Sequence, residues 1–227
     1  MKKIMLVFGT RPEAIKMCPL VCELRRRPDI SVCVCVTGQH REMLDEVLCV
    51  FGVKPDYDLA LMREGQSLFD ITTGVICGMK DVLAAEKPDV VLVHGDTTSA
   101  FAAALSAYYM KIPVGHVEAG LRTHNLYSPY PEEFNRNAVD IIAKYRFCPT
   151  EKSSENLAAE GISDGIYITG NTVIDALKTT VKKDFSHPLL EWAGEKRLVL
   201  ITAHRRESIG EPLEKMLRGI REAIEAH

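Results

Sequence analysis

Runs of apolar residues alternate with amphipathic segments from the start of the chain. Residues 4–8 are continuously apolar, which is typical of a strand covered on both faces of its sheet. Residues 12–26 carry apolar side chains at i, i+3, i+4 and i+7, which predicts a helix. The further predicted strands are at 31–36, 90–93, 112–117, 145–148 and 166–168, and the further helices at 40–51, 67–86, 98–110, 132–143, from 151 and at 171–181. This order predicts an α/β fold with a Rossmann-like parallel sheet and right-handed crossovers.

The regular alternation ends near residue 183. Residues 184–196 are irregular and indicate a connector, which an apolar run at 198–202 and an amphipathic stretch at 211–226 follow. We expect one domain over 1–183, and over 184–227 a connector with the first strand and helix of a second domain. One strand and one helix cannot bury a core of their own. The chain is therefore expected to be a fragment, or its last unit to pack on the first domain.

Composition narrows the classes of function. The chain has 227 residues, 46% hydrophobic and 26% charged, as in ordinary globular proteins. Its net charge is -3 without a basic stripe, so the sequence offers no electrostatic basis for binding nucleic acid. The first apolar run is too short for a signal peptide, and no run approaches the ~18 apolar residues of a membrane span. We expect a cytoplasmic protein that binds neither nucleic acid nor a membrane.

The chain has seven cysteines, an odd number, and several occupy apolar positions of predicted elements. Such a set is typical of buried thiols in a reducing compartment. Neither Cys33 with Cys35 nor Cys18 with Cys22 has the spacing of a zinc knuckle. We therefore expect no metal site.

Cations follow the first predicted strand. Ligands of open parallel sheets bind beyond the carboxyl ends of the strands, so residues at these points are candidates. Arg11 and Lys16 lie at the start of a predicted helix, whose free N–H groups attract anions. The Arg11 guanidinium is a fork suited to phosphate or carboxylate. The segment is neither a Gly-x-Gly-x-x-Gly fingerprint nor a P-loop, and the alternative is a plain turn with two solvated cations.

Carboxylates follow the later strands. Asp96 comes directly after one of them, where it could bind a ligand or simply cap the next helix. Glu118 ends an apolar strand, and burial there would raise its pKa, which suits a general acid or base. The alternative for Glu118 is a buried ion pair with Arg122.

Two further acids and a histidine complete the candidates. Glu132 and Glu133 begin a predicted helix, and either could face the cleft. His204 follows the run at 198–202 and precedes two arginines. Taken together, cations suited to a diphosphate and acids suited to proton transfer indicate a phosphorylated or nucleotide-linked substrate and acid–base chemistry.

Six segments resemble those of the non-hydrolysing bacterial UDP-N-acetylglucosamine 2-epimerases, in the same order and without large gaps. They are 8–16 (FGTRPEAIK), 93–98 (VHGDTT), 115–123 (GHVEAGLRT), 128–133 (SPYPEE), 168–176 (ITGNTVIDA) and 202–207 (TAHRRE). The resemblance implies a glycosyltransferase-B-type fold of two Rossmann-like domains, with the second largely absent here. It also implies UDP-N-acetylglucosamine as substrate, inversion at C2 by elimination and re-addition of UDP, no nicotinamide or metal cofactor, and a homodimer.

The resemblance also implies roles for individual residues. The acid–base carboxylates would be Asp96, Glu118 and Glu132, and the catalytic histidine would be His204. The substrate-binding positions would be Arg11, Lys16, Arg122 and Arg206. Which carboxylate takes the C2 proton stays open, because coupled acids in one cleft share their titrations.

Some family members bind a second substrate molecule as an activator, through Gln-His-Arg-Gln and Arg-Gln segments. The corresponding segments here are Gln-His-Arg-Glu at 39–42 and Gly-Gln at 65–66. The candidate activator site therefore consists of Gln39, Glu42 and Gln66, with two departures from the family pattern.

Three alternatives stay open. One is a hydrolysing epimerase that releases free N-acetylmannosamine, and another is a glycosyltransferase of the same fold. The third is a chain that binds a UDP-sugar without turnover. Family members are longer, and their second domain supplies most uridine and ribose contacts, so the isolated chain is expected to be poorly active.

Overall fold

The structure, a computed structural model, describes residues 1–38, 41–61, 63, 65–201 and 210–226, and at 41 and 42 it describes the backbone alone. It divides into two compact units, Met1–Val181 and Lys182–His227. The predicted assignment of 1–183 and 184–227 to two domains of a longer protein stays a prediction.

The first unit contains a seven-stranded parallel sheet with the order β3-β2-β1-β4-β5-β6-β7. Its strands are β1 (Lys2–Phe8), β2 (Ile30–Val36), β3 (Tyr57–Asp58), β4 (Val90–His94), β5 (Val114–Val117), β6 (Tyr145–Cys148) and β7 (Ile166–Ile168). The predicted α/β class with a Rossmann-like parallel sheet is confirmed. The strand order reverses between β1 and β4, so a crevice opens beyond their carboxyl ends.

In the described part of the chain, six helices connect successive strands of this sheet, and a seventh follows β7. They are α1 (Arg11–Arg25), α2 (Arg41–Phe51), α3 (Leu68–Glu86), α4 (Thr98–Tyr109), α5 (Glu132–Ile142), α6 (Glu151–Ala159) and α7 (Val173–Thr180). Local chemistry sets several of their starts: the Ser67 hydroxyl accepts from the backbone N–H of Asp70, and Thr97 accepts from that of Ala100. α4 packs against α3 and α5, and its closely packed face consists of buried alanines.

The core forms two main clusters. Successive strand residues point to opposite sides of a sheet, so Val7 belongs to one cluster and Phe8 to the other. Cys33 and Cys35 lie in the first cluster, whereas Cys18 lies in the second. All seven cysteines are free thiols, and burial raises the pKa of the Cys18, Cys33 and Cys35 thiols to about 12.

The second unit contains α8 (Pro188–Ala193) and α9 (Glu211–Glu225). The helix predicted at 211–226 is therefore present, and α8 lies within the predicted irregular connector. The strand predicted at 198–202 is absent from its described part, 198–201, where Leu200 is 91% exposed. A strand needs a neighbour for its backbone hydrogen bonds, and the described part of this unit has none to offer. Over the described ranges, no helix is long and apolar enough to cross a membrane.

Candidate active site

The turn after β1 is tied to the start of α4 by a buried carboxylate. Glu13 is 2% exposed, and its Oε2 accepts the backbone N–H groups of Gly9 (2.8 Å) and Thr10 (2.7 Å). Its Oε1 accepts the hydroxyl of Thr97 at 2.6 Å. A Cβ on Gly9 would lie 1.8 Å from Thr37 Oγ1, so this close approach requires glycine. Burial raises the pKa of Glu13, against the effect of these hydrogen bonds.

Glu118 is the centre of a charged cluster just beyond β5. Both its oxygens accept from Lys16 Nζ, at 2.6 and 2.8 Å, and Oε1 also accepts from Asn171 Nδ2 at 2.7 Å. The Nε2 of His94 lies 3.4 Å from Oε2. Glu118 has a φ of 69°, a left-handed conformation that is costly for a residue with a side chain. The ion pair with Arg122 considered from the sequence is replaced by one with Lys16.

The expected direction of the Glu118 pKa shift is wrong. Burial does favour a raised pKa, but the neighbouring His94 and Lys16 and the hydrogen bond from Asn171 outweigh it. The pKa of Glu118 therefore lies below its ordinary value, and the side chain is a carboxylate at neutral pH. The side chain of His94 is 5% exposed, and burial lowers its pKa to about 4. Its imidazole is therefore neutral at neutral pH.

Asp96 lies in the turn after β4, the strand that neighbours β5 in the sheet. Its carboxylate accepts a hydrogen bond from Arg136, and its backbone carbonyl accepts from Asn135 Nδ2 at 2.9 Å. Burial raises the pKa of Asp96, and the charges of Glu132 and Glu118 add to this rise, while Arg136 opposes it. The charges of Glu118 and Glu132 therefore both act on Asp96.

The two adjacent acids at the start of α5 differ in their surroundings. Glu132 is partly exposed, and its charge acts on Asp96. Glu133 is 1% exposed, and its Oε1 accepts the backbone N–H groups of Thr123 (2.9 Å) and His124 (3.0 Å). Burial works to raise the pKa of Glu133, but these backbone bonds outweigh it and leave the pKa lowered. Glu133 therefore holds the loop before α5, and Glu132 is the acid left available to the crevice.

Arg122 belongs to a buried ion-pair network. Its side chain is 1% exposed, and Nη1 donates to Asp140 Oδ2 at 2.9 Å. Its Nε and Nη2 donate to the two oxygens of Glu160, both at 2.7 Å. These bonds favour a structural role, so its assignment as a substrate contact stays a prediction without support from the geometry.

The remaining predicted residues are spread over the chain. Arg11 is exposed at the start of α1. Gln66 lines a cavity of about 390 Å³ with Arg63 and Asp70, and its amide bonds to the Leu61 carbonyl and the Arg63 N–H. Four predicted site positions lie outside the described residues: Gln39, His204, Arg206 and the side chain of Glu42. Among the described residues, no three or more His, Cys, Asp or Glu side chains come together in a group that could hold a metal ion.

Several residues of this site were missed from the sequence. Asn171 lies shortly after the end of β7. A polar residue just after a strand is the signal that could have identified it. His94 closes β4 and was quoted only as part of a motif. Arg136 lies one helical turn after Glu132, and the contact of its side chain with Asp96 depends on how α5 packs.

Comparison with known proteins shows which family the chain resembles. The family model described as UDP-N-acetylglucosamine 2-epimerase matches residues 22–227. The chain is 54% identical over 223 residues to the UDP-N-acetylglucosamine 2-epimerase of Bacillus subtilis, covering 98% of this chain and 59% of that protein. The Staphylococcus aureus MnaA structure with UDP matches with a TM-score of 0.90 and 47% identity, over 100% of this chain and 60% of that one.

A more distant relative has both ligands in its structure. The Methanocaldococcus jannaschii UDP-GlcNAc 2-epimerase, in complex with UDP-GlcNAc and UDP, matches with a TM-score of 0.82 at 34% identity. The match covers 99% of this chain and 63% of that one, so the chain spans between 59% and 63% of the length of these three relatives. This coverage fits the first part of the predicted two-domain fold. From the family model and the extent of these matches, the chain belongs to the UDP-N-acetylglucosamine 2-epimerase family.

Proposed function

We propose that the full-length protein containing this chain interconverts UDP-N-acetylglucosamine and UDP-N-acetylmannosamine without net hydrolysis. One observation carries the proposal: Asp96 and Glu118 lie at the ends of adjacent strands, with the pKa of Asp96 raised and that of Glu118 lowered. Carboxyl groups whose pKa values diverge in one crevice suit opposite roles in proton transfer. The relative solved with UDP-GlcNAc and UDP supports the choice of substrate and leaving group.

The chemistry requires departure of UDP before or with loss of the proton. The C2 hydrogen is not acidic, because no carbonyl is attached to C2. Breaking the bond from C1 to the diphosphate oxygen leaves its electron pair on UDP and gives C1 positive character. Proton loss from C2 to the Glu118 carboxylate then forms the C1–C2 double bond of a glycal.

Re-addition completes the inversion. The UDP oxygen forms a new bond to C1, and C2 takes a proton from Asp96 on the face opposite Glu118. In the reverse direction the two carboxyl groups exchange roles. The raised pKa of Asp96 favours the protonated form that this step requires. The guanidinium and backbone N–H of Arg11, at the start of α1, would bind the diphosphate, and Lys16 would hold Glu118.

The test is proton NMR of the full-length protein with UDP-N-acetylglucosamine in deuterium oxide. The expected product is UDP-N-acetylmannosamine with deuterium at C2. Free UDP with N-acetylmannosamine would indicate the hydrolysing alternative. An unchanged substrate would overturn the proposal in favour of a transferase or a binding protein. The 227-residue chain, run in parallel, is expected to be poorly active.

The variant Asp96→Asn tests the role of the Asp96 carboxyl group. The amide has the size of the carboxyl group but cannot exchange a proton, so turnover should fall by about two to four orders of magnitude. The circular dichroism spectrum should not change. Normal activity in this variant would remove Asp96 from the mechanism.

We also propose that the protein is a cytoplasmic homodimer. Free thiols at all seven cysteines are consistent with a reducing compartment. Tyr109 is 67% exposed at the end of α4 and Ile141 73% exposed on the adjacent α5, beside a surface cavity of about 500 Å³. Tyr109→Glu should shift the mass measured by light scattering from dimer to monomer. Val50→Glu, at another exposed apolar position, is the control and should leave the mass unchanged.

A further inference from the structure

A fully buried histidine underlies the turn that carries Asp96. His116 lies on β5 and is 0% exposed. Its Nδ1 lies 2.6 Å from Asp140 Oδ1, and its Nε2 lies 2.7 Å from the backbone carbonyl oxygen of Gly95. Both ring nitrogens therefore face oxygen atoms in a region without access to solvent.

The partners determine where the protons lie. A carbonyl oxygen can only accept, so Nε2 must carry a hydrogen. The second oxygen of Asp140 accepts from the Gly120 N–H at 3.1 Å and from Arg122 Nη1 at 2.9 Å. Burial favours a raised pKa for Asp140, but His116 and Arg122 outweigh it and hold the pKa below its usual range. Two donors on one oxygen, one of them the Arg122 cation, stabilise Asp140 as a carboxylate independently of His116. A carboxylate oxygen 2.6 Å from Nδ1 accepts a hydrogen from it, so the geometry favours a hydrogen on Nδ1 as well.

We propose that His116 is a buried, doubly protonated imidazolium that positions Asp96 by holding the Gly95 carbonyl, with Asp140 as its counter-ion. This inference rests on the proposed function, because it assigns a positioning role within that site. Among the described contacts, the side chains of His116 and Asp140 bond to neither the Asp96 nor the Glu118 side chain. They act through the backbone of the turns that carry these acids.

The backbone geometry shows why such a clamp matters. Gly95 has a φ of 64°, and the next carbonyl, that of Asp96, accepts from Asn135. Two consecutive carbonyls of this turn are therefore held by buried side chains. A charge-assisted donor is roughly twice as strong as a neutral one, so the imidazolium restrains the turn more than a neutral ring would.

Asp140 couples this turn to the next one. One of its oxygens binds His116, and the other binds the backbone of Gly120, two residues after Glu118. The same carboxylate thus supports the turns after β4 and after β5, which carry the two acids with divergent pKa values. Loss of this support should disturb the spacing of the acids and leave the exposed Arg11 unaffected.

The protonation state can be observed without any activity. Full-length protein with ¹⁵N-labelled histidine should show two N–H protons on His116 at pH 7, identified by their loss in His116→Gln. In Asp140→Asn the amide can donate to Nδ1, so one N–H should remain, and the bond to Gly95 with it. Asp175→Asn, an exposed carboxylate on α7, should retain both signals. A single N–H on His116 in the unmodified protein would overturn the inference.

Kinetics tests the positioning role. His116→Leu removes the donor to the Gly95 carbonyl, so it should lower kcat on the order of a hundred-fold, the cost of about a 1 Å misplacement, with KM within about two-fold. Asp140→Asn keeps that donor and should lower kcat less, and Asp175→Asn should match the unmodified protein in both constants. An unchanged kcat in folded His116→Leu would overturn the inference while leaving the proposed function intact. If the unmodified protein does not epimerise its substrate, the proposed function fails, and the NMR signals still decide the protonation of His116.

Discussion

Asp96 and Glu118 lie at the ends of adjacent parallel strands, yet their charged neighbours differ. Glu118 accepts from Lys16 and Asn171, which stabilise its ionised form. Among the described residues, Asp96 is paired with the cation of Arg136 and lies near two other acids. As the pH falls, Glu118 therefore stays ionised below the ordinary range of a glutamate. As the pH rises, Asp96 keeps its proton above the ordinary range of an aspartate.

The orientation of Asn171 leads to a prediction about pH dependence. Its Oδ1 accepts the Val173 N–H at 3.0 Å, which turns Nδ2 toward Glu118. Asn171→Asp would place a second carboxylate against Glu118 and raise its pKa. The acid limb of the kcat/KM profile should then move to higher pH by about one unit or more.

Asn171→Ser is the control for this prediction. It removes the amide donor without adding a charge, so its acid limb should move less than that of Asn171→Asp. A profile for Asn171→Asp that coincides with that of the unmodified protein would contradict the assignment of Glu118 as the essential base.

At the scale of elements, the site depends on how two helices begin. α1 and α4 start beside each other because β1 and β4 are neighbours in the sheet. Glu13 joins these two starts through Gly9, Thr10 and Thr97. The hydrogen bond that Glu13 accepts from Thr97 at the start of α4 cannot be inferred from the sequence of α1 alone. Within α1, Glu13 looks like an ordinary capping-box residue.

Replacement of Glu13 should distinguish its hydrogen bonds from its charge. Glu13→Leu would leave two buried N–H groups without an acceptor, so the free energy of unfolding should fall by about 2–4 kcal/mol. In Glu13→Gln the amide oxygen can accept both N–H groups and the amide nitrogen can donate to Thr97. This variant should lose less than about 1 kcal/mol. Urea denaturation measures both, and equal losses would show that the charge matters more than the bonds.

At the scale of the whole molecule, the two units differ in how they satisfy their backbone. The seven strands of the first unit pair with one another, and their apolar side chains fill two clusters. In the second unit, residues 198–201 have the composition of a buried strand but remain outside any strand. The chain spans 59% of its Bacillus subtilis relative, so a longer protein can supply the missing neighbours.

Hydrogen exchange can test this explanation. In the full-length protein, the amides of 198–201 should pair with further strands and exchange at least about a hundred-fold more slowly than in the 227-residue chain. The amides of β1 should be protected in both proteins, which provides the internal control. Equal, fast exchange of 198–201 in both would show that this segment is not a strand in either.

The sequence by itself determined the elements of the first unit other than β3, and it predicted the edge of the sheet where the candidate site lies. A helix has a period of 3.6, a strand covered on both faces is a short continuous apolar run, and both patterns are visible in residues close together along the chain. Motif resemblance determined the family for the same reason, since each motif is a short contiguous segment. β3 was missed because its two residues are too few to show a period.

Only the tertiary structure decided the partners of each charged group. Lys16 meets Glu118 across 102 positions, and Asn171 meets it across 53, whereas the nearby Arg122 turns to Asp140 and Glu160. His94, Lys16 and Asn171 together set the direction of the Glu118 pKa shift, which burial alone would have reversed. The strand at 198–202 followed the local pattern and was wrong for 198–201. Electrostatic interactions and strand pairing both depend on which distant groups fold into contact, and no local period encodes that.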